Sequence, residues 1–455
     1  MTHTKLYVAL QSLSKEECKS LQRYLIMETS DTSNGYHLFH YLNECHKSSN
    51  SPKSKDEVRH QLFPTMTEKK FLNLCSKVYL VVEDWLVWYD IKKDKMLCSV
   101  HLVKAYNRRG VFELADKAFM RARKKLSQQE KIDLRKSEHL HNLYKYHYFS
   151  ENPVKVREGK DIFEKLVQYW TQNYKEKSHL YIAEMQNWGG GMNFDYSIAK
   201  TMLINSIDGL PESETSMVTQ IIQKLTSNGD QETLDELYNL LIEGKIQEGS
   251  DLEVFITLYA IAHSIKMWSS GKLKNKEYIS RMYDYALSSK ILMNLGKLTS
   301  SRFLNIISVI VLTSKPSLTY EFLEKWSHII DPKDRNPTVA IAKCYVKREE
   351  GKYGDIILIL RNVQYTNLNL TMLSLVFLIK AFYKEKEYDV AQNTINNFKR
   401  RLRKTKTGTE KTYYYPRLNF LLVMEQLIKS KHKKISIDLD QYKHLHHRIW
   451  LSKQL

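Results

Sequence analysis

LCSVHLVKAYNRRGVFELADKAFMRARKK, residues 97–125, is the stretch whose reading decides the fold. Leu102 and Tyr106 stand one helical turn apart, Gly110 interrupts the pattern, and Phe112, Ala115, Phe119 and Ala122 resume it at spacings of three and four. Side chains so spaced share one helix face. The glycine supplies the left-handed or uncrowded backbone that a tight turn requires. Two alanines at the close approach, with a phenylalanine between them, then predict two helices packed as a hairpin.

The same intervals return 276 residues later in Leu378, Phe382, Tyr388, Ala391, Ile395 and Phe398, with Lys386 in place of Gly110 and Phe398 in place of Ala122. A looser copy, AIAKCYVKREEGKYGDIILILRNV (340–363), keeps Gly351, Tyr353, Ile356, Leu360 and Val363, while its first helix reads out of register. The order Leu, Tyr, Gly, aromatic, Ala, aromatic, Ala resembles the tetratricopeptide repeat. It departs where Ser99 replaces a common Trp and Val103 a common small residue. The resemblance implies an all-α fold, a right-handed α-solenoid of hairpins whose first helices line a concave binding surface.

The flanking sequence fits helices throughout. Residues 13–28 open with Ser14 and Glu17 at capping-box spacing, residues 36–46 form a second helix, and KSSNSPKSK (47–55) is a solvated loop. Residues 56–63 make a short helix stopped by Pro64. A long one follows from Thr67, in which Phe71, Leu74, Val78, Val82, Trp85 and Tyr89 mark a deeply buried face and Trp85 and Trp88 add apolar surface. Beyond the hairpin come a Tyr-rich helix (139–149), a helical pair (162–174 and 179–188) and a flexible Gly189–Gly190–Gly191 corner. Some ten further amphipathic segments are punctuated by Gly or Pro, and the chain reads as about twenty helices. LFP (62–64), KVYLVVEDWL (77–86), the stretch 269–303 and YYYPRLNFLL (413–422) together resemble an uncharacterised Bacteroidetes family of tetratricopeptide-like helical proteins. That resemblance implies the fold and no activity.

Composition bounds the function. Of 455 residues only 15 are Gly and 8 Pro, while 42% are hydrophobic and 27% charged, the balance of a mostly helical chain. The five cysteines are odd in number and scattered, so they read as reduced, buried thiols. No signal-peptide pattern and no run of about 18 apolar residues occurs, which predicts a cytoplasmic protein without membrane insertion. The net charge is +19, and residues 399–453 hold 15 Lys/Arg against 4 Asp/Glu. Such a field attracts acidic proteins, nucleic acid or anionic lipid alike.

No enzyme signature is present: there is no HExxH, nucleophile elbow, kinase motif or Walker lysine after the triple glycine. The histidines 139, 141, 147 and 444, 446, 447 lack zinc-site spacing and predict neither metal nor cofactor. The expected role is a non-enzymatic scaffold whose concave face, marked by Lys104, Asn107 and Arg108 and their counterparts Lys380, Tyr383 and Lys384, binds an acidic protein segment. The alternative is nucleic-acid association. It would use a helix-turn-helix-like pair (56–63 and 67–80, with Lys69, Lys70 and Lys77) and a basic C-terminal set: Lys399, Arg400, Arg401, Arg403 and Lys404, with Lys431, Lys433 and Lys434. Three regions are expected: an N-terminal helical cap (1–92), the repeat array (93–398) and a basic helical segment (399–455).

Overall fold

The structure, a computed structural model, describes residues 1–29, 32–48, 50–150, 154–192, 195–293, 296–365, 367–403, 411–430, 437–442 and 445–455. Among the described residues the fold is all-α, with two isolated β-bridges, Ile132 to Ile246 and Leu298 to Ile330, and no strand. Two compact units, Met1–His263 and Ser264–Leu455, divide the chain within one helix.

The first unit runs α1 (Lys5–Gln11), α2 (Lys15–Thr29), α3 (Asn34–Lys47), α4 (Lys55–Leu62), α5 (Glu68–Lys93), α6 (Lys95–Arg108), α7 (Phe112–Ser127), α8 (Leu134–Tyr148), α9 (Val154–Met192), α10 (Ser197–Ile207), α11 (Glu214–Asn228), α12 (Gln231–Ile242) and α13 (Asp251–Ser269). The second runs α14 (Glu277–Ser288), α15 (Ser300–Thr313), α16 (Pro316–Trp326), a 3₁₀ turn, α17 (Pro332–Glu349), α18 (Tyr353–Arg361), α19 (Leu368–Lys384), α20 (Tyr388–Arg403), α21 (Lys411–Ser430) and α22 (Arg448–Ser452).

Local chemistry sets many of these limits. The Ser14 and Glu17 capping box forms, with Ser14 N–H donating to Glu17 Oε2 (2.8 Å) and Glu17 N–H to Ser14 Oγ (3.2 Å); a second box joins Ser54 and Glu57. The first helices pack α5 against α1, α2 and α3 around fully buried Phe39, Phe71, Val82 and Trp85. Trp88, in contrast, stays 42% exposed, its ring 5.5 Å from Tyr24. All five cysteines are free thiols; Cys18 and Cys344 are buried, and the other three only half-buried.

The hairpin appears at all three places with matching turns. α6 ends at Arg108, α17 at Glu349 and α19 at Lys384, and the turn residues Gly110, Gly351 and Lys386 have φ of 68°, 71° and 62°. Each turn carries the same pair of helix-closing bonds. In the first, Gly110 N–H donates to Asn107 O and Val111 N–H to Tyr106 O; in the third, Lys386 N–H donates to Tyr383 O and Glu387 N–H to Phe382 O. The second helices α7 and α20 are both 16 residues long, and both bury the equivalent Ala115/Ala391, Phe119/Ile395, Ala122/Phe398 and Leu126/Leu402.

The first helix differs from the sequence reading. Leu102 is 39% exposed, and the buried seam is formed by Val100 and Val103. The equivalents Val376 and Ile379 are also buried, as are Ile341 and Cys344 in the copy that reads out of register. That copy is therefore in register with the other two once the seam is placed correctly.

α9 is the second departure. Residues 162–188, read as two helices, lie in a single 39-residue helix that also includes the triple glycine near its end. Residues 175–178, Lys-Glu-Lys-Ser, contain neither Gly nor Pro to stop it.

Candidate partner-binding surface and buried polar centres

The six residues assigned to a binding face separate in the structure. Arg108 and Lys384, at the last turns of α6 and α19, are exposed. Lys104 and Asn107 instead pin α6 to α8. The Lys104 ammonium lies 4.6 Å from the Tyr146 ring centre and donates to its hydroxyl (3.4 Å), and Asn107 Nδ2 donates to Tyr146 O (3.0 Å). Both sit on the α8-facing side of α6, so neither is a free groove residue.

Tyr383 is buried in the α19–α20–α21 core, with its ring 5.8 Å from Tyr388 and 6.1 Å from Trp450. Lys380 is only 3% exposed, its ammonium 4.9 Å from the Trp450 ring centre and 5.8 Å from that of Phe420. Its equivalence to Lys104 in sequence therefore does not carry over to solvent. Aromatic side chains contributed by α21 and α22 cover it. Burial pushes its pKa well below the usual lysine range, with Arg348 adding repulsion.

The basic C-terminal set also divides. Lys399 is engaged, its Nζ 2.6 Å from Glu425 Oε2, while Gln392 donates to the other carboxylate oxygen (3.1 Å). Arg400, Arg401 and Arg403 are exposed. Lys404, Lys431, Lys433 and Lys434 lie outside the described residues. Lys124 and Lys125 in α7 are exposed at the positions equivalent to Arg400 and Arg401, so the two well-matched hairpins both end their second helix in solvent-facing cations. Cations at a helix C-terminus are favourable against the helix dipole.

The helix-turn-helix-like pair does not end at Leu80: α5 continues to Lys93 and runs 26 residues. Lys69, Lys70 and Lys77 are exposed on it, opposite the buried Phe71, Val78 and Val82.

His139 and His147 hold structural places, and His444 lies outside the described residues. His139 Nε2 is 3.2 Å from Asp94 Oδ2, and the His147 ring stacks on Phe119 at 4.0 Å. Among the described residues no group of His, Cys, Asp or Glu is placed to hold a metal ion, and no helix is long and apolar enough to cross a membrane.

A buried carboxyl centre escaped the sequence reading. Glu176 in α9 is 2% exposed; Ser137 Oγ of α8 donates to Oε2 (2.6 Å), and Ser213 Oγ, the N-cap of α11, donates to Oε1 (2.8 Å). Burial pushes the Glu176 carboxyl from its ordinary 4.5 up to about 7, against the opposing pull of both serines and Lys177. Its neighbours extend the network: Lys175 Nζ donates to Leu210 O (2.8 Å) and pairs with Glu212, and His179 Nδ1 lies 3.1 Å from Thr219 Oγ1. A cavity of about 230 Å³ beside Glu176 is bordered by Arg123, Lys136, Ser137 and Ser213. With both oxygens taken by serines, the carboxyl acts as a tie among α8, α9 and α11. The available signal was an uninterrupted helical run with charged residues where a loop was expected.

No family model, no curated protein and no solved structure matches this chain.

Proposed function

We propose that the chain is a non-enzymatic cytoplasmic scaffold, built of degenerate tetratricopeptide-like hairpins stacked as a solenoid within each unit, that binds an acidic protein segment. One observation carries the reading. Well-matched hairpins far apart in sequence share turn, second-helix length and buried register, and at equivalent positions both present solvent-facing cations: Arg108 and Lys384, Lys124 and Arg400, Lys125 and Arg401. The helix dipole favours cations at these last turns, and their exposure at equivalent places leaves the same charges available to an acidic partner.

Fluorescence anisotropy of a labelled Glu-rich peptide with the full chain tests the reading. The Arg108→Glu/Lys124→Glu/Lys125→Glu variant is expected to bind at least about tenfold more weakly, a loss of about 1.4 kcal/mol. Equal affinity of variant and wild type removes this surface from consideration.

A second reading, nucleic-acid association, draws on exposed Arg400, Arg401 and Arg403. Duplex DNA binding on this basis should weaken by orders of magnitude between about 50 and about 200 mM salt. Absence of binding at low salt ends that reading.

A further inference from the structure

The cavity beside Glu176 lies within the first unit, bordered by the end of α7, the α7–α8 connection, α8, α9 and the start of α11. Its volume of about 230 Å³, at about 30 Å³ per water, is room for roughly eight non-hydrogen atoms, the size of a small amino acid. The lining carries both signs of charge and an apolar wall. Among the described residues its charged side chains are the buried Glu176, Glu214 exposed in the first turn of α11, and the cations Arg123, Lys131 and Lys136. Buried Ile132 and Leu140 and the half-buried Tyr169 supply the wall.

The Glu176 carboxyl is held without being saturated. Ser137 and Ser213 each donate one hydrogen bond, to different oxygens, whereas an ionised carboxylate offers about four acceptor positions. The serines bring no charge, and a carboxylate taken out of water is costly unless a cation meets it. Its neighbours along α9 are committed to other acids, Lys175 to Glu212 and Lys177 to Glu138 (2.8 Å).

The cations of the lining suit an acid instead. Arg123 is exposed, its guanidinium 5.9 Å from the Phe119 ring centre, and a guanidinium fork matches a carboxylate. Lys136 Nζ donates to Gln129 O (2.7 Å) and Lys131 Nζ to Glu248 (3.2 Å), and an ammonium has further donors to give. A cavity of this size that holds a buried acid, basic side chains and an aliphatic wall matches a ligand with an amine, an acid and a short aliphatic group.

We propose that this cavity binds a small aliphatic α-amino acid, with its ammonium on Glu176, its carboxylate on Arg123 and Lys136, and its side chain against Ile132 and Leu140. Burial holds the Glu176 carboxyl at about 7, and an ammonium in contact draws it down again, since opposite charge favours the ionised form. Tyr169, whose pKa burial pushes up, stays neutral near pH 7, and the amine of the ligand stays protonated. Binding near pH 7 therefore releases part of a proton, and affinity rises up to about tenfold from pH 6 to pH 8. This inference is independent of the acidic-partner reading, since it uses none of the paired hairpin cations.

Calorimetric titration of the full chain with L-valine, N-acetyl-L-valine and L-valinamide, in two buffers of different protonation enthalpy, tests it. L-Valine is expected to bind at pH 7 with release of protons, and at least about tenfold more tightly than either derivative, each of which lacks one of the two charges. Glu176→Gln is expected to weaken L-valine at least about tenfold and to abolish the proton release, which a carboxyl that only ties helices together does not show. Arg123→Gln, at an exposed position, is expected to weaken it as much and serves where Glu176→Gln fails to fold. The proposal is overturned if L-valine does not bind, if either derivative binds as tightly, if binding moves no proton, or if the folded variants bind L-valine as wild type does.

Discussion

Replacing Glu176 by glutamine should stabilise the protein at alkaline pH and leave it nearly unchanged in acid. The carboxyl is buried in the first unit between Ser137 and Ser213, and its folded pKa of about 7 lies above the ordinary 4.5. A folded pKa above the unfolded one means the folded state holds the extra proton. The associated stability is therefore fully present below about pH 4.5 and is lost as pH rises through about 7. The difference between those values corresponds to roughly 3 kcal/mol at pH 8 as an upper figure. Glutamine stays neutral, and its amide oxygen and NH₂ can pair with one serine each. Expected gains are about 1–3 kcal/mol at pH 8 and under about 1 kcal/mol at pH 5. Urea unfolding of both proteins at pH 5, 6, 7 and 8 reads this directly. A difference that does not vary with pH, or a loss of stability at pH 8, refutes the reasoning.

Other expectations follow from the turns and cores. Lys386 holds φ of 62° where the first hairpin has Gly110, so Lys386→Gly should raise stability by about 0.5–1 kcal/mol, the relief of left-handed strain less the added freedom of the unfolded chain. Gly110→Ala should lower stability by about 1 kcal/mol by the same strain alone, because a Cβ there meets nothing within 4 Å; denaturant midpoints check both. Phe398→Ala, at the centre of the α19–α20–α21 core, should cost about 3–5 kcal/mol, against under about 0.5 kcal/mol for exposed Phe149→Ala, as read by thermal unfolding.

The second helix of each hairpin was the most legible part of the fold. Ala115, Phe119 and Ala122 recur at spacings of three and four with no competing apolar series of the same period, so their spacing predicts their burial. The first helix was less so, because Leu102 and Val103 are adjacent and both apolar, and periodicity over one or two turns does not decide which faces inward. The three-way comparison decides between the two: Val103 has apolar, buried equivalents in Cys344 and Ile379, whereas the equivalent of Leu102 in the 340–363 copy is the exposed Lys343. The candidate site was hardest to read. Lys380 resembles a solvent-facing lysine until Phe420 and Trp450, distant in sequence, close over it. Glu176 lay in a polar run that tertiary packing buries.

The shared hairpin register is tested most directly by the paired stabilities of Val103→Ala with Leu102→Ala and of Ile379→Ala with Leu378→Ala. Val103 and Ile379 are fully buried, while Leu102 is exposed and Leu378 half-buried. Val103→Ala should cost about 1–3 kcal/mol and Ile379→Ala about 2–5 kcal/mol, and each leucine substitution should cost less than its neighbour, with Leu102→Ala under about 1 kcal/mol. Leucine substitutions as costly as, or costlier than, those of Val103 and Ile379 would contradict the register and with it the equivalence of the hairpins.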